Sequence, residues 1–216
     1  MSDPLAGPHD PELDADLIPG VSVPALGLLE FSSVALGLRA GDAMVKRSPV
    51  RALVAGSVQP GKFLVLVDGD PASVEEALAA GVDAGAPGLV DRLYLPDVHP
   101  AVGAAIAGVR WQGDIETLGI IETRTTAGAI RAADAGMKGA HVELIELRLA
   151  NGLGGRAFCL FAGELTDVQA AVEAGSAKVE SGNLIQQVVL PQFHPEMADN
   201  VLASTRFAAQ WNRSEG

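Results

Sequence analysis

One sequence segment occurs in two similar copies, and this duplication constrains the fold more than any other feature. Residues 26–46 align with residues 118–138 at a constant offset of 92, and nine of these 21 positions are identical. The identical pairs are Leu26/Leu118, Gly27/Gly119, Glu30/Glu122, Ala35/Ala127, Arg39/Arg131, Ala40/Ala132, Asp42/Asp134, Ala43/Ala135 and Lys46/Lys138. A repeated unit of this kind predicts two similar domains, so the function has to be argued from what two such halves build together.

Hydrophobic spacing and turn residues divide each repeat into the same six elements. In the first repeat, strands are predicted at residues 26–31, 50–55, 63–68 and 89–95, with helices at about 34–47 and 71–85. In the second repeat, strands are predicted at 118–123, 142–149, 157–162 and 184–190, with helices at about 126–139 and 166–178. Predicted helix caps are Ser32 or Ser33, Asp70, and Thr166 in a capping box with Gln169. This order predicts an α+β, ferredoxin-like antiparallel sheet with both helices on one face, and the other face left for partners or solvent.

Composition shifts mark the domain boundaries. Residues 1–24 hold five acids, five prolines and no Lys or Arg, which predicts a flexible, solvated acidic arm. The first domain is predicted at residues 25–100, an Ala- and Gly-rich linker at 101–116, and the second domain at 117–196. The C-terminal tail, residues 197–216, contains Phe207 and Trp211, and we expect a short helix there that packs on a neighbour.

The charge and hydropathy of the chain argue against several classes of function. Its net charge is −12 and its pI is about 4.6, whereas general nucleic-acid binding requires a basic surface. The sequence has no apolar run of about 18 residues, and its first 24 residues lack the basic start and apolar stretch of a signal peptide. The single cysteine, Cys159, excludes an internal disulfide and fits a reducing cytosol. We therefore expect neither nucleic acid nor a membrane as a partner.

Two motifs of the repeats resemble those of the bacterial microcompartment (BMC) shell-domain family. The phrase Leu-Gly-x-x-Glu followed by Ala-x-Asp-Ala-x-x-Lys occurs in both halves. The ends of the repeats, residues 95–100 and 190–195, resemble the Pro-x-x-His terminus of that family. Two unpermuted copies, over about residues 25–196, are similar to the tandem T-type shell proteins, including those of propanediol-utilisation compartments. Residues 40–44, 60–63 and 119–123 carry this narrower resemblance.

The resemblance implies a structural protein and not an enzyme: a trimer of tandem domains that forms a pseudohexagonal tile in the shell of a microcompartment in the cytoplasm. Its partners would be two further copies of the chain, other shell proteins at the tile edges, and a small polar metabolite of unknown identity. In this family the loops between the second and third strands line a central pore. The matching residues are Val58, Gln59, Pro60, Gly61 and Lys62 in the first half, and Ala150, Asn151, Gly152, Leu153, Gly154 and Gly155 in the second. Without the family resemblance, Asn151-Gly152 would be interpreted as an ordinary hairpin turn.

The first of these loops departs from the T-type pattern at one position. The similar T-type proteins carry a cysteine immediately before Pro-Gly-Lys, and three copies hold an iron–sulfur cluster on the axis. The matching residue here is Gln59, and an amide is a poor ligand for a cluster that requires thiolates. Cys159 lies within an apolar strand and is expected to be a small buried hydrophobe. We therefore predict no metal and no other cofactor, and a pore that passes small polar molecules.

The resemblance places four further residues at the edges of the tile: Lys46, Lys138, His99 and His194. The two lysines end the first helix of each half, where the family has a lysine that pairs with its counterpart on the next tile. The alternative is a solvated lysine that complements the helix dipole. The two histidines have no second ligand at helical or turn spacing, which argues against a metal site.

Repeated carboxylates are interpreted as structural groups. Asp42 and Asp134 each lie four residues before a lysine, a spacing that favours an ion pair on one helix face. Glu30 and Glu122 end the first strand of each half, and we expect them to be hydrogen-bonding carboxylates near the subunit interface.

Two other functions are weighed against the shell protein. A ferredoxin-like enzyme or small-ligand sensor is disfavoured because the sequence has no nucleophile–base pair, no metal triad and no Walker or dinucleotide loop. An electron-relay shell protein with an axial iron–sulfur cluster is disfavoured by Gln59.

Overall fold

The computed structural model describes residues 24–207, so the predictions for residues 1–23 of the acidic arm and for residues 208–216 of the tail lie outside the described residues. The first domain contains β1 (Ala25–Phe31), α1 (Val34–Arg47), β2 (Ala52–Val58), β3 (Lys62–Gly69), α2 (Pro71–Gly85) and β4 (Leu89–Leu95), followed by α3 (Pro100–Ile106). The second contains β5 (Thr117–Thr123), α4 (Thr126–Gly139), β6 (Glu143–Arg148), β7 (Ala157–Gly163), α5 (Leu165–Ala177) and β8 (Leu184–Leu190), followed by α6 (Pro195–Ala203). Across residues 24–207, no helix combines the length and the hydropathy that crossing a bilayer requires.

Each domain is a four-stranded sheet with the strand order of the predicted ferredoxin-like fold. The orders are β2-β3-β1-β4 and β6-β7-β5-β8, and every neighbouring pair is antiparallel. Both central strands shift register at the same place, between Glu30 and Phe31 and between Glu122 and Thr123. The predicted α+β fold of two tandem domains is confirmed.

Hydroxyl and carboxylate caps set the start of three helices. The Ser33 and Thr125 hydroxyls accept hydrogen bonds from backbone N–H groups in the first turns of α1 and α4, at 3.4 and 3.1 Å. Asp70 caps α2 in the same way, at 3.0 Å. The capping box predicted at Thr166 is wrong, because α5 begins one residue earlier and Glu164 occupies its N-cap without a side-chain hydrogen bond.

The core of the first domain lies between α1, α2 and one face of the sheet, as predicted. Its strand residues are mostly odd-numbered, because successive side chains of a strand point to opposite faces. The buried cluster comprises Ala25, Leu29, Phe31, Ala40, Met44, Phe63, Val65, Val67, Val74, Ala77 and Leu78.

The outer faces of the two sheets are covered differently. On the first sheet, Leu28, Leu66 and Leu93 belong to a buried cluster that also includes residues of α3 and α4. The second domain therefore covers part of the first sheet. On the second sheet, Ala198 of α6 is buried against Leu118. A helix, α6, is thus present at the start of the predicted tail, and it packs on its own domain; packing of the tail on a neighbour stays a prediction.

The segment predicted as a linker, residues 101–116, is helical at its start. His99 is the N-cap of α3, and its Nδ1 accepts a hydrogen bond from the Ala101 N–H at 3.3 Å. Val102 and Ala105 are buried, and α3 packs against β6 and α4 of the second domain. The linker therefore takes part in the contact between the domains.

Candidate functional site at the domain seam

The two loops assigned to a pore by resemblance lie side by side. We call residues 58–62 the first loop and residues 150–155 the second loop. The Lys62 ammonium donates a hydrogen bond to the Gly155 carbonyl oxygen at 3.1 Å. A Cβ atom on Gly155 would lie 2.8 Å from Pro60 Cδ and 2.9 Å from the Gln59 carbonyl oxygen, and the φ of +78° at Gly155 also favours glycine. The loops therefore approach so closely that no side chain fits at this position.

The tips of both loops are exposed to solvent. Their exposed residues are Gln59, Pro60, Gly61, Asn151, Gly152 and Gly154. Val58, Lys62 and Leu153 are half-buried, while Ala150 and Gly155 are buried. The exposed side chains of Gln59 and Asn151 are amides, which donate and accept hydrogen bonds without carrying charge. The paired loops therefore present a polar, uncharged tip.

A buried ion pair fixes the base of the first loop. Lys62 Nζ lies 2.6 Å from Glu30 Oε1, and Glu30 is fully buried. The other oxygen of this carboxylate accepts a hydrogen bond from the Thr126 N–H at 2.8 Å, and the ammonium also donates to the Arg124 carbonyl oxygen at 3.0 Å. Burial raises the pKa of Glu30 above its ordinary value, and the Lys62 ammonium partly offsets that rise. The pair joins the first domain to the N-terminus of α4, where a carboxylate is favourable.

A second group of contacts ties the start of α4 to β4. The Thr125 hydroxyl donates to the buried Asp91 carboxylate at 2.6 Å, and the Asn183 amide reaches the same oxygen at 3.3 Å. The Arg131 guanidinium donates to the Arg92 carbonyl oxygen and lies 3.6 Å from Asp91. Thr125 therefore caps its helix and also binds the first domain.

The end of α4 binds the segment that follows β4. Asp134 accepts hydrogen bonds from the His99 N–H at 2.9 Å and from the Lys138 ammonium at 2.8 Å. Lys138 also donates to the Asp97 carbonyl oxygen. The predicted Asp134–Lys138 pair is confirmed, and 38% of the Lys138 side chain stays exposed. We call these contacts between α4 and the first domain the domain seam; the tile-edge role of Lys138 and His99 stays a prediction.

The first-half counterparts of these residues are open to solvent. Lys46 pairs with Asp42 at 2.7 Å, as predicted, and both side chains are exposed. Exposed pairs of this kind contribute less than about 1 kcal/mol to stability. His194 is the exposed N-cap of α6 and makes no side-chain cap hydrogen bond. The same motif is therefore buried in one half and exposed in the other.

The groups present do not fit an iron–sulfur cluster. Gln59 offers an amide in the first loop, and Cys159 is fully buried in β7, where burial raises the pKa of its thiol to about 12. A thiol with such a pKa does not form the thiolate that binds metals at neutral pH. Within residues 24–207, no three His, Cys, Asp or Glu side chains are grouped so that they could hold a metal ion.

Comparison with known proteins identifies the family. The BMC domain family matches the chain twice, over residues 25–107 and 117–193. This chain belongs to the BMC shell protein family. The bacterial microcompartment shell protein PduT of Citrobacter freundii is 39% identical over 174 residues, which cover 80% of this shell protein and 95% of PduT. The shell protein EutM of Salmonella typhimurium is 33% identical over 86 residues, which cover 39% of this chain and 88% of EutM.

Solved structures agree with this assignment. A microcompartment protein from Desulfitobacterium hafniense shares 39% identity with a TM-score of 0.71, over 81% of this chain and 98% of that protein. The fused permuted hexameric shell protein MSM0275 shares 16% identity with a TM-score of 0.51, over 79% and 91% of the two chains, and supports the fold alone. The shell protein is therefore structural and not an enzyme, and its place is the shell of a microcompartment in the bacterial cytoplasm.

Sequence reasoning found the loops and missed their chemistry. Glu30 is a structural hydrogen-bonding carboxylate, as predicted, but its partner Lys62 was assigned only to the pore. The strand pairing of β1 with β3 sets Glu30 opposite Leu64, two residues from Lys62 and on the same face. Diagonal neighbours on one sheet face are within reach of long side chains. The signal in the sequence was a glutamate within an apolar strand, because such a carboxylate needs a cation, and the strand pairing places Lys62 within reach.

Proposed function

We propose that three copies of this shell protein form a pseudohexagonal tile with a central pore for small polar metabolites. The observation that carries the proposal is the difference between α1 and α4. Nine of the 14 residues of α4 are buried, against four of the 14 residues of α1. In a closed ring, α1 of each chain would meet the second domain of the next chain in the way that α4 meets the first domain.

The surface of α1 supports this arrangement. Val34 and Leu38 are 41% and 57% exposed, whereas their counterparts Thr126 and Ile130 are fully buried. Exposed aliphatic side chains on one helix face form an apolar patch of the kind that marks an interface. The polar seam residues of α4 also have identical and exposed counterparts on α1, which are Arg39, Asp42 and Lys46.

The second domain offers groups that would complete such a contact. Glu122 is the counterpart of the buried seam glutamate and is only half-buried, 3.5 Å from Arg156. Between two chains, Glu122 would accept a hydrogen bond from the Val34 N–H of the next chain, with Arg156 in the role of the seam lysine. The seam within one chain thus supplies a template for the seam between chains.

The segment after β8 extends the same correspondence. Gln192 and His194 are exposed and occupy the positions that meet the end of α4 in the first domain. Between two chains, the Lys46 ammonium would donate to the Gln192 carbonyl oxygen, and Asp42 would accept from the His194 N–H. These contacts would give two of the exposed polar groups of α1, Asp42 and Lys46, partners on the next chain.

The pore follows from the ring. Closed symmetry brings three copies of each loop around one axis, and the two loops already lie side by side within a chain. Gln59 and Asn151 would then line the lumen with amides that exchange hydrogen bonds with a polar solute in place of water. Because the Lys62 ammonium is paired with Glu30, it would add little charge to the lumen.

The tile edges are assigned to residues that lie beyond the loops. Lys46, Lys138, His99 and His194 would contact other shell proteins there. The exposed part of the Lys138 side chain and the exposed Lys46 support this role, since each lysine sits at the end of a helix with its ammonium within reach of a neighbour.

The ring is tested by placing a charge in the apolar patch. Leu38→Asp is expected to convert trimers to folded monomers, because the carboxylate would be desolvated between chains. Leu165→Asp is the matched control, since Leu165 is 39% exposed on α5, away from the seam. Sedimentation gives the mass, and circular dichroism verifies folding. Trimers of the Leu38→Asp variant, or monomers of the wild type at high concentration, would contradict the proposal.

The pore has a separate test in the assembled trimer. Gln59→Cys should form disulfide-linked dimers on mild oxidation, because three copies would meet at the axis, while native Cys159 is buried and unreactive. Glu164→Cys, exposed at the start of α5, is the control and should stay unlinked. Folded trimers of the Gln59→Cys variant that resist cross-linking would place the first loop away from the axis.

A further inference from the structure

A cleft of about 800 Å³ lies on the outer face of the first sheet, between that sheet and the second domain. One wall is apolar and is formed by strand side chains: Leu28, Val54, Leu64 and Leu66. The other wall is charged and is formed by residues that follow α3, belong to β6 or follow α6: Arg110, Glu146, Arg148 and Arg206. The equivalent face of the second sheet is covered by α6, so the cleft distinguishes the first domain from the second.

Three buried polar atoms around this cleft lack a hydrogen-bond partner. They are Arg110 Nε, Arg148 Nε and Thr126 Oγ1. Among the side chains of residues 24–207, one other buried polar atom is in this state, Arg131 Nη1. Native structures leave few buried polar atoms unpartnered, so their concentration beside one cleft shows that the protein's own groups satisfy this region incompletely. Arg110, Arg148 and Arg206 line the cleft, and because an arginine side chain only donates hydrogen bonds, an occupant would have to supply acceptors.

The charge of the cleft favours an anionic occupant. Three guanidinium groups and one carboxylate line the cleft, and that carboxylate, Glu146, already binds Arg110 at 2.9 Å. Burial lowers the pKa of the Arg148 guanidinium, repulsion from Arg206 and Arg110 lowers it further, and attraction to Glu146 offsets part of this fall. Carboxylates bind guanidinium groups through strong, charge-assisted hydrogen bonds. An occupant with several carboxylates would therefore satisfy the charged wall.

The chain itself contains a segment of the required chemistry. Residues 12–17 read Glu-Leu-Asp-Ala-Asp-Leu, with acidic and apolar side chains in strict alternation. In an extended chain, successive side chains point to opposite faces, so the three acids would share one face and the apolar residues the other. We propose that residues 12–17 bind in this cleft as an extended segment, with the acidic face against the arginines and the apolar face against the sheet.

The length of the intervening chain permits this placement. Leu28, in the cleft wall, is three residues along β1 from Ala25, a distance of about 10 Å. The residues between Leu17 and Ala25 span up to roughly 25 Å when extended. The chain is therefore long enough for the segment to reach the cleft of its own chain. The inference does not depend on the proposed trimer, since every residue of the cleft belongs to one chain.

Hydrogen exchange of the full chain tests this placement with a charge-matched pair of variants. One variant carries Asp14→Lys and Asp16→Lys, within the alternating segment. The control carries Asp3→Lys and Asp10→Lys, which change the net charge equally outside it. We expect the amides of residues 12–18 to exchange about tenfold more slowly in the wild type and the control than in the first variant. Arg148→Glu added to the first variant should restore part of the protection.

Two results would overturn the proposal. The first is exchange of residues 12–18 at unprotected rates in the wild type, or equal rates in the two variants. The second is a small carboxylate found bound by native mass spectrometry of the purified wild type while residues 12–18 are unprotected, which would assign the cleft to a free ligand. We also expect protection to persist in the monomeric Leu38→Asp variant, and its loss there would place the segment between chains instead.

Discussion

Helices α1 and α4 have similar sequences and different surroundings. Both begin after a hydroxyl N-cap, and both end in an Asp–Lys pair at i,i+4 spacing. Leu38 of α1 is nevertheless exposed, while Ile130 at the same position of α4 is fully buried. The difference comes from the partner, because α4 lies against the first domain of its own chain, whereas within residues 24–207 α1 packs only on its own domain. Duplication has placed one seam within a single chain. In our proposal, the other seam forms between chains.

The comparison separates two kinds of free energy. Contacts of α4 form when the chain folds, so a change there should lower the free energy of unfolding. The same change in α1 should leave unfolding almost unaltered and should weaken association. Each pair of counterpart residues therefore provides its own matched control.

The largest effect is expected at the buried ion pair of the seam. Lys62→Met leaves the Glu30 carboxylate buried without its cation, which should lower the free energy of unfolding by about 3–5 kcal/mol. The counterpart change, Arg156→Met, removes an exposed arginine and should cost less than about 1 kcal/mol in dilute solution. Chemical denaturation at fixed protein concentration measures both. Equal losses in the free energy of unfolding at the two positions would contradict the distinction between the seam within the chain and its exposed counterpart.

A smaller effect is expected from the apolar counterparts. Ile130→Ala leaves a cavity in the seam and should lower the free energy of unfolding by about 2–5 kcal/mol. Leu38→Ala should change it by no more than about 0.5 kcal/mol, because the side chain is exposed in the single chain. The same variant should weaken trimer association about tenfold, or ~1.4 kcal/mol, in sedimentation experiments. A Leu38→Ala protein that unfolds as easily as Ile130→Ala would break the comparison.

The smallest effect concerns pH. Burial raises the pKa of Glu30 above 4.5, so the folded state keeps a proton that the unfolded state releases. The contribution of this group to stability therefore falls as the pH rises from 4.5 through its raised pKa, by at most about 1.4 kcal/mol per pH unit. Glu30→Gln should remove this contribution when the free energy of unfolding is measured across that range. Parallel profiles for the wild type and the variant would contradict it.

Sequence analysis worked best where local signals bound an element. Strand β4 and helix α4 have the predicted limits, because Gly88 and Pro96 flank the strand and Thr125 caps the helix. It worked least well at β2, predicted at residues 50–55 and found at Ala52–Val58. This edge strand is exposed along most of its length, so it lacks the alternation of apolar and polar residues that would fix its register.

The sequence by itself determined the duplication, the order of elements and the family. These follow from the spacing of hydrophobic and turn residues and from short repeated motifs. The tertiary structure decided which of two similar helices is buried, which carboxylate Lys62 binds, and where a charged cleft opens on the first sheet. Burial and ion pairing depend on residues far apart in the chain that only packing brings together, and the two halves differ in what they are packed against. A repeated sequence segment therefore predicts a repeated fold. The surroundings of each copy depend on which domain packs against it.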